Sequence, residues 1–495
     1  MLVTAIPQLQ KWRGLPVVRS FFGSGWYIAC IVFLMACSEL FSLELFVIPA
    51  YLVLGFLCVL FCDDLLGIVP IVASGYMLFA AKNNPGKFPI TGLFAQKYAQ
   101  DALMICIGFA AAILLLRLVS KLLERGKKRG VPQLTLGYIL LGLSYLLGGA
   151  FTKNYDTRTV FFGFVEIAAL GFFYFFFYFT VDWDKVPKHY MPMLVTILGI
   201  GLFAEILGMY TNPGAPTLDG GGSRDSLYTG WGIWNCVGCM MAVCVPAPVY
   251  FAVKKKNGWL YTLLSALFML GVLLTQSRGS MLAGAVVYMC GVVVTLVMSR
   301  KKERIRNLLV YLALLLGGII LLVRFWDKVS GLITTLLEIG TSDSGRLDLY
   351  SQAWGVFLRN PLFGVGWYDV PGIQYAQGGM YPNGHPVLEN YFIPGFVHNT
   401  FLELLAMGGA FAFFSYLIHR TQTVMLFFRK PTTAKTVAGI CILAMLLASI
   451  VDNHVFNLGP GLLYSMLLVF VEKADESDPD RKLMKVARGL SLIHI

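Results

Sequence analysis

The sequence has few charged residues for its length. Only 13% of its 495 residues are Asp, Glu, Lys or Arg, and 57% are hydrophobic, whereas a soluble domain carries about 25% charged residues. This shortage argues against a soluble enzyme, a disordered hub or a nucleic-acid binder. The sequence also lacks internal repeats, low-complexity tracts and an appended soluble domain. We therefore expect residues 1–495 to form a single integral membrane domain.

Apolar segments long enough to cross a bilayer recur along the whole chain. A helix of about 20 residues spans the roughly 30 Å hydrocarbon layer, and these segments predict an all-α, polytopic membrane protein with 12–14 transmembrane helices. The number of spans is open near residues 26–81, because residues 41–80 hold either two short spans or one span and a re-entrant piece. The segments centre near Val32, Val53, Ala73, Phe109, Leu141, Phe173, Leu198, Val243, Phe268, Val287, Leu315, Phe411, Ala444 and Met466.

The distribution of Lys and Arg orients these segments. With a cytoplasmic amino terminus, seven basic regions lie inside and hold 28 Lys and Arg, against 11 on the other side. This bias is the positive-inside pattern, so the net charge of +12 needs no nucleic-acid partner. The first span has no obvious cleavage site after it and is expected to be retained. The basic regions are residues 11–19, 117–129, 185–188, 254–256, 300–306, 420–435 and 473–488.

Two predicted outer segments, residues 211–235 and 325–397, are longer than ordinary turns, and long loops often carry function. The second one predicts an amphipathic helix on the outer membrane surface, capped by Asp343 or Ser344, with Arg346 in its first turn. Taken alone, Arg346 is better explained as a solvated or snorkelling side chain. The apolar positions of this helix are Leu347, Tyr350, Trp354, Phe357 and Leu358, followed by Asn360-Pro361.

A second arginine lies between two apolar spans that almost no loop separates. The segment Ser277-Arg278-Gly279-Ser280 places a permanent positive charge at the outer interface, where an arginine either anchors lipid headgroups or belongs to a site. Both interpretations remain open for Arg278 alone. Gly279 and Ser280 allow a backbone or a ligand to approach closely.

Ionisable residues also begin the span that follows the long loop. His398 and Asn399 are expected in its first helical turn, and Glu403 follows Asn399 by four residues on the same face. A helix amino terminus disfavours a protonated imidazole, so His398 is expected to be able to act as a base. A lone histidine would more simply make a structural hydrogen bond, but a carboxylate in a membrane requires a partner or a function.

In this order, Ser-Arg278-Gly, Gly-Arg346-Leu and His398-Asn-Thr-Phe-Leu-Glu403 resemble the bacterial O-antigen ligase and polymerase family, over roughly residues 260–420. The resemblance implies an inner-membrane glycosyltransferase of the GT-C type. Such an enzyme passes glycan from undecaprenyl diphosphate to an acceptor hydroxyl on the outer face, with inversion at the anomeric carbon and without a metal or cofactor. It also implies that Arg278 and Arg346 engage the donor diphosphate and that His398 is essential.

The expected site therefore combines donor binding with proton removal. Arg278 and Arg346 stabilise the leaving diphosphate, Asn399 and Tyr350 help to bind substrate, and His398 removes the acceptor proton with the help of Glu403. The acceptor is a growing glycan in a polymerase, which we favour, lipid A core in a ligase, or protein in an oligosaccharyltransferase. Membrane lipids are the other partners.

The alternative from another class is a transporter or flippase for a polyprenyl-linked glycan. Transporters commonly show internal repeats and paired broken helices, and the sequence shows no repeat. Trp231, Trp234, Trp367 and other loop aromatics either stack on sugars or form an interfacial belt. At the carboxyl end, residues 490–495 read as a translated transposase adaptor sequence and are expected to be non-native.

Overall fold

The computed structural model describes residues 15–41, 43–62, 64–75, 97–123, 130–152, 155, 157–217, 222–229, 232–326, 346–366, 397–428, 431–452 and 458–473. These residues are mostly helical, and their strands form one two-stranded antiparallel ladder, β1 (Tyr228–Thr229) with β2 (Gly232–Ile233). The predicted all-α class is thus confirmed.

The first half of the chain contributes eight α-helices within the described residues. Each is built from an apolar run, and most breaks occur at Gly, Pro or charged segments. These helices are α1 Pro16–Phe22, α2 Gly25–Phe41, α3 Glu44–Phe61, α4 Ile68–Gly75, α5 Lys97–Leu122, α6 Thr135–Leu147, α7 Thr157–Thr180 and α8 Tyr190–Met209.

The later part of the chain contributes the remaining helices, including those that meet at the candidate site. They are α9 Trp234–Cys244, α10 Val249–Lys254, α11 Gly258–Leu274, α12 Arg278–Met298, α13 Lys301–Arg324, α14 Arg346–Arg359, α15 Thr400–Phe428, α16 Thr433–Val451 and α17 Leu458–Lys473. Helix α15 packs on α6 and α14, and α9 packs on both α12 and α16. The starts of α9, α12 and α15 and the end of α16 therefore meet at one end of the bundle.

Each of the fourteen predicted span centres falls within a different helix. Within the described residues, six helical segments are long and apolar enough to cross a membrane, counting α9 with α10 as one, and the bent pair α1 and α2 makes a seventh. Helix α4 has eight residues, which is too few to cross a bilayer. It lies in the region where the sequence allows a re-entrant piece. The polytopic class is confirmed, and the number of 12–14 spans stays a prediction.

Helix α15 breaks at Gly409, and this break holds the segment after α14 in place. Gly409 has φ 65° and ψ −164°, a conformation that favours glycine. A Cβ atom there would lie 2.4 Å from the Leu362 carbonyl carbon. The Val365 amide donates to the Ala406 carbonyl at 3.0 Å, and the Ala410 amide donates to the Pro361 carbonyl at 2.8 Å. Helix α14 is thereby fixed beside the start of α15.

Helix α14 ends before Asn360-Pro361, as the sequence predicted, and Arg346 lies in its first turn. Its inner face contributes Ala353 and Val356 to a buried cluster with residues of α15. Leu347 and Leu358 are instead 64% and 61% exposed. These exposed apolar side chains fit the predicted contact with a membrane surface, which stays a prediction.

Candidate functional site

Four polar side chains form a continuous chain of hydrogen bonds at the end of the bundle where α9, α12 and α15 begin. Ser277 Oγ donates to Asn235 Oδ1 at 3.0 Å. Asn235 Nδ2 donates to Asp452 Oδ2 at 3.1 Å. Asp452 Oδ1 lies 3.0 Å from His398 Nδ1. Two turns that sequence analysis selected separately, those of Arg278 and His398, are therefore joined through Asn235 and Asp452.

The Arg278 turn is short and tightly packed. Only Thr275, Gln276 and Ser277 separate α11 from α12, and Arg278 is the first residue of α12. Gln276 has φ 56°. A Cβ atom on Gly279 would lie 3.0 Å from Val451 Cβ, so the first turn of α12 packs against the end of α16, next to Asp452. The half-buried Arg278 side chain thus begins from a constrained backbone.

The structure corrects the predicted position of His398. Helix α15 begins at Thr400, so His398 precedes the first helical turn rather than lying in it. Its φ of 53° belongs to the left-handed region, which a right-handed helix cannot contain. Asn399 is the N-cap, because its Oδ1 accepts the amides of Phe401 and Leu402, both at 3.0 Å. This left-handed residue directly before the cap places the imidazole beside Asp452.

The pairing of His398 with Asp452 assigns different tasks to its two ring nitrogens. A carboxylate beside Nδ1 favours the tautomer with the proton on Nδ1. The second nitrogen, Nε2, is then the basic one. The imidazole is partly accessible, with 35% of its side chain exposed, compared with 15% for Asp452. The arrangement is suited to taking a proton from a group that approaches from outside the bundle.

Part of this site lies in a stretch of sequence that matches a known protein family. Residues 262–417 match the O-antigen ligase family model. This match confirms the resemblance to the O-antigen ligase and polymerase family, and no curated protein matches the chain. With the apolar helices, it supports a multi-pass membrane enzyme that processes glycan. We call residues 262–417 the O-antigen ligase stretch.

Within the O-antigen ligase stretch, the other predicted site residues occupy different surroundings. Glu403 is buried in the first turns of α15, and Asp452 places a carboxylate oxygen 3.0 Å from His398 Nδ1. Tyr350 Oη donates to the His398 carbonyl at 3.4 Å. Arg346 begins α14, one turn before Tyr350, but its side chain lies outside the described part of the structure. The roles predicted for Glu403, Asn399, Tyr350 and Arg346 stay predictions.

Several predicted loop features lie outside the described residues, among them Asp343, Ser344, Trp231 and Trp367. Trp234, by contrast, is described. The Arg224 guanidinium carbon lies 4.7 Å from the centre of its ring, so a cation covers one face of this aromatic side chain. Trp234 directly precedes Asn235 and anchors the start of α9 to the loop that carries Arg224.

Sequence reasoning missed Asn235 and Asp452, which both lie outside the O-antigen ligase stretch. Asp452 directly follows the apolar run of α16, and an acidic residue at such a position signals a possible interfacial partner. Asn235 offered no comparable signal, because a polar residue at the end of a glycine-rich loop is common. The structure identifies both through the hydrogen bonds that they make.

Proposed function

We propose that this protein transfers glycan from an undecaprenyl-diphosphate donor to an acceptor hydroxyl at the outer face of the bacterial inner membrane. The observation that carries this proposal is the His398–Asp452 contact, beside the Arg278 turn and within a chain that matches the O-antigen ligase family. The polymerase reaction, in which the acceptor is another lipid-linked glycan, is our first candidate.

In the proposed reaction, His398 is the general base. The Nδ1–H group donates a hydrogen bond to Asp452. The Asp452 carboxylate stabilises the imidazolium that forms, as in other His–carboxylate pairs. Nε2 removes the proton of the acceptor hydroxyl as its oxygen bonds to the anomeric carbon. The bond between that carbon and the diphosphate oxygen breaks at the opposite face, which inverts the configuration. A positioned base contributes about a hundredfold to ten-thousandfold to such a step.

We propose that Arg278 binds the leaving diphosphate. Its guanidinium extends from the first residue of the 21-residue helix α12, where backbone amides and the helix dipole also favour an anion. Negative charge grows on the diphosphate as the glycosidic bond breaks, so a fixed cation stabilises the transition state more than the ground state. We propose that Arg346 supplies a second cation and that no metal is needed.

Charge distribution and depth support the outer orientation. The excess of Lys and Arg on the predicted cytoplasmic side supports an outer location for the end that carries His398. The hydrogen-bonded chain lies at helix ends, where a polyprenyl diphosphate would hold its tail in hydrocarbon and its charge at the interface. Donor chemistry and site position are therefore compatible.

Ligation is the second candidate, because the matched family is described as O-antigen ligase. It would transfer the same glycan to lipid A core, and a related reaction would transfer it to protein. The donor half of the proposed site is shared by these reactions, so His398, Asp452 and Arg278 keep the same roles. The acceptor determines which reaction occurs.

Purified protein incubated with undecaprenyl-diphosphate oligosaccharide tests the proposal. Longer lipid-linked glycan identifies a polymerase, whereas transfer to added lipid A core or protein identifies the other acceptors. Parallel samples contain a chelator, which we expect to leave turnover unchanged, and the His398→Ala variant, which controls for contaminating transferase. Movement of the lipid across vesicles without cleavage of the glycosidic bond would contradict glycan transfer and favour a flippase.

A further inference from the structure

We infer that Asn235 is a positioning residue that holds the Arg278 turn and the His398–Asp452 pair in one fixed geometry. The inference rests on the proposed function and extends it to a residue outside the O-antigen ligase stretch. Asn235 is the second residue of α9, so it belongs to neither of the turns that it joins. Its own helix supplies an independent anchor.

Both polar atoms of the Asn235 side-chain amide make hydrogen bonds. Oδ1 accepts from Ser277 Oγ at 3.0 Å, and Nδ2 donates to Asp452 Oδ2 at 3.1 Å. Ser277 Oγ also lies 2.9 Å from Ser280 Oγ, which extends the contact into the first turn of α12. An amide provides an acceptor and a donor on one planar group, whereas an ionised carboxylate provides acceptors alone. The residue type therefore fits a bridge between a hydroxyl and a carboxylate.

The two turns that Asn235 joins both contain a left-handed residue. Among the residues that the structure describes, three non-glycine residues have positive φ, namely Phe151, Gln276 and His398. Gln276 directly precedes Ser277, and His398 directly contacts Asp452. Such conformations persist where the surrounding contacts determine them, and they concentrate at functional sites. Asn235 hydrogen-bonds Ser277, which follows Gln276, and Asp452, which contacts His398.

This arrangement sets the separation between the proposed donor cation and the proposed base. If Asn235 is truncated, Ser277 and Asp452 lose their common partner, and either turn can relax independently. A misplacement of about 1 Å between reacting groups can cost about a hundredfold in rate. The loss should appear in kcat rather than in KM, because Asn235 aligns groups for the chemical step and does not itself bind the donor.

Four variants test this inference: Asn235→Ala, Asn235→Ser, Ser277→Ala and the double variant Asn235→Ala/Ser277→Ala. We expect Asn235→Ala to lower kcat about tenfold to a hundredfold, with KM for the donor within about threefold. The Asn235→Ser side chain is too short to reach both partners. If the alanine variant does not fold, Asn235→Ser should show the same lower kcat with KM for the donor within about threefold. The double variant should match Asn235→Ala, because both changes interrupt one bridge.

The matched control is Asn307→Ala. Asn307 is a buried amide at the other end of α12, where its Nδ2 donates to the Ala252 carbonyl and the Ser299 hydroxyl, both at 3.3 Å. We expect this variant to lower the thermal unfolding midpoint in detergent while kcat stays within about twofold of wild type. Loss of an internal amide alone would then not account for the kinetic effect of Asn235→Ala.

The outcomes separate the inference from the proposed function. Wild-type protein that transfers glycan, together with an Asn235→Ala or Asn235→Ser variant within twofold of its kcat, overturns the inference alone. Additive losses in the double variant, or an equal kcat loss in Asn307→Ala, overturn it as well. Wild-type protein that transfers no glycan overturns the proposed function and the inference together.

Discussion

The two ends of the helix bundle use polar side chains in different ways. At the candidate site, Ser277, Asn235, Asp452 and His398 contact one another across four separate segments. At the opposite end, Glu472 accepts from Tyr174 Oη and the Gln133 amide and so connects helix ends to a loop. The first end links four side chains into a partly exposed network, whereas Glu472 joins a buried tyrosine hydroxyl and a loop amide at the second end. Chemistry is therefore expected at the first end and stability at the second.

Backbone conformation also differs between the two ends of the bundle. The candidate site contains left-handed residues at Gln276 and His398. At the opposite end, the start of α16 has an extended N-cap, Thr432, whose side chain accepts the Lys435 amide at 3.2 Å. That cap is a common solution for a helix amino terminus and needs no unusual backbone. Left-handed residues at the candidate site are expected to accompany function there.

The largest effect should follow from His398→Ala. Removal of the proposed base should lower kcat/KM by about a hundredfold to ten-thousandfold, measured as glycan transfer from the lipid-linked donor. The matched control is His189→Ala, because His189 lies just before α8 at the opposite end. We expect this control to stay within about twofold of wild type. Equal losses in the two variants would remove the functional distinction between the ends.

Arg278→Lys should have the next largest effect. Lysine retains the positive charge but cannot form the paired hydrogen bonds of a guanidinium with phosphate oxygens. We expect kcat/KM to fall about tenfold to a hundredfold while the protein stays folded. Arg306→Lys is the control, since Arg306 contacts the Lys256 carbonyl and Glu303 at the opposite end. Near-normal turnover of Arg278→Lys contradicts the paired role in donor binding.

Glu472→Ala should affect stability and leave catalysis unchanged. The variant removes a nearly buried acceptor that serves Tyr174 Oη and the Gln133 amide, the latter at 2.7 Å. Loss of such contacts costs about 1–3 kcal/mol of unfolding free energy, visible as a lower thermal midpoint in detergent. We expect kcat of the folded fraction to stay within about twofold. A selective loss of kcat would show that the two ends are coupled.

The positions of the helices could be predicted because each arises from a local signal. Apolar runs located fourteen helices, and Asn360-Pro361 marked the end of α14. The turn that carries Arg278 followed from the near absence of a loop between two apolar runs. These features depend on residues that are close in the chain, where hydrophobic patterning and backbone chemistry act directly.

The connection between the turns could not be predicted in the same way. His398 and Asp452 are 54 residues apart, and their contact depends on how α15 and α16 pack. Asn235 reaches Asp452 across 217 residues. The left-handed backbone of His398 was missed because Asn399 fits both a first helical turn and an N-cap, and helix starts are uncertain by one or two residues. Tertiary packing decides these details.

The smallest effect should come from Tyr350→Phe. Tyr350 Oη lies 3.4 Å from the His398 carbonyl, a long separation for a hydroxyl donor, so this bond contributes little to the position of His398. If that contact is the main role of the hydroxyl, kcat/KM should fall no more than about threefold. Tyr155→Phe is the control, because Tyr155 Oη donates to the Leu146 carbonyl at 2.7 Å, apart from the hydrogen-bonded chain of the site. A selective loss of tenfold or more in Tyr350→Phe would assign the hydroxyl to substrate and extend the catalytic end of the bundle onto α14.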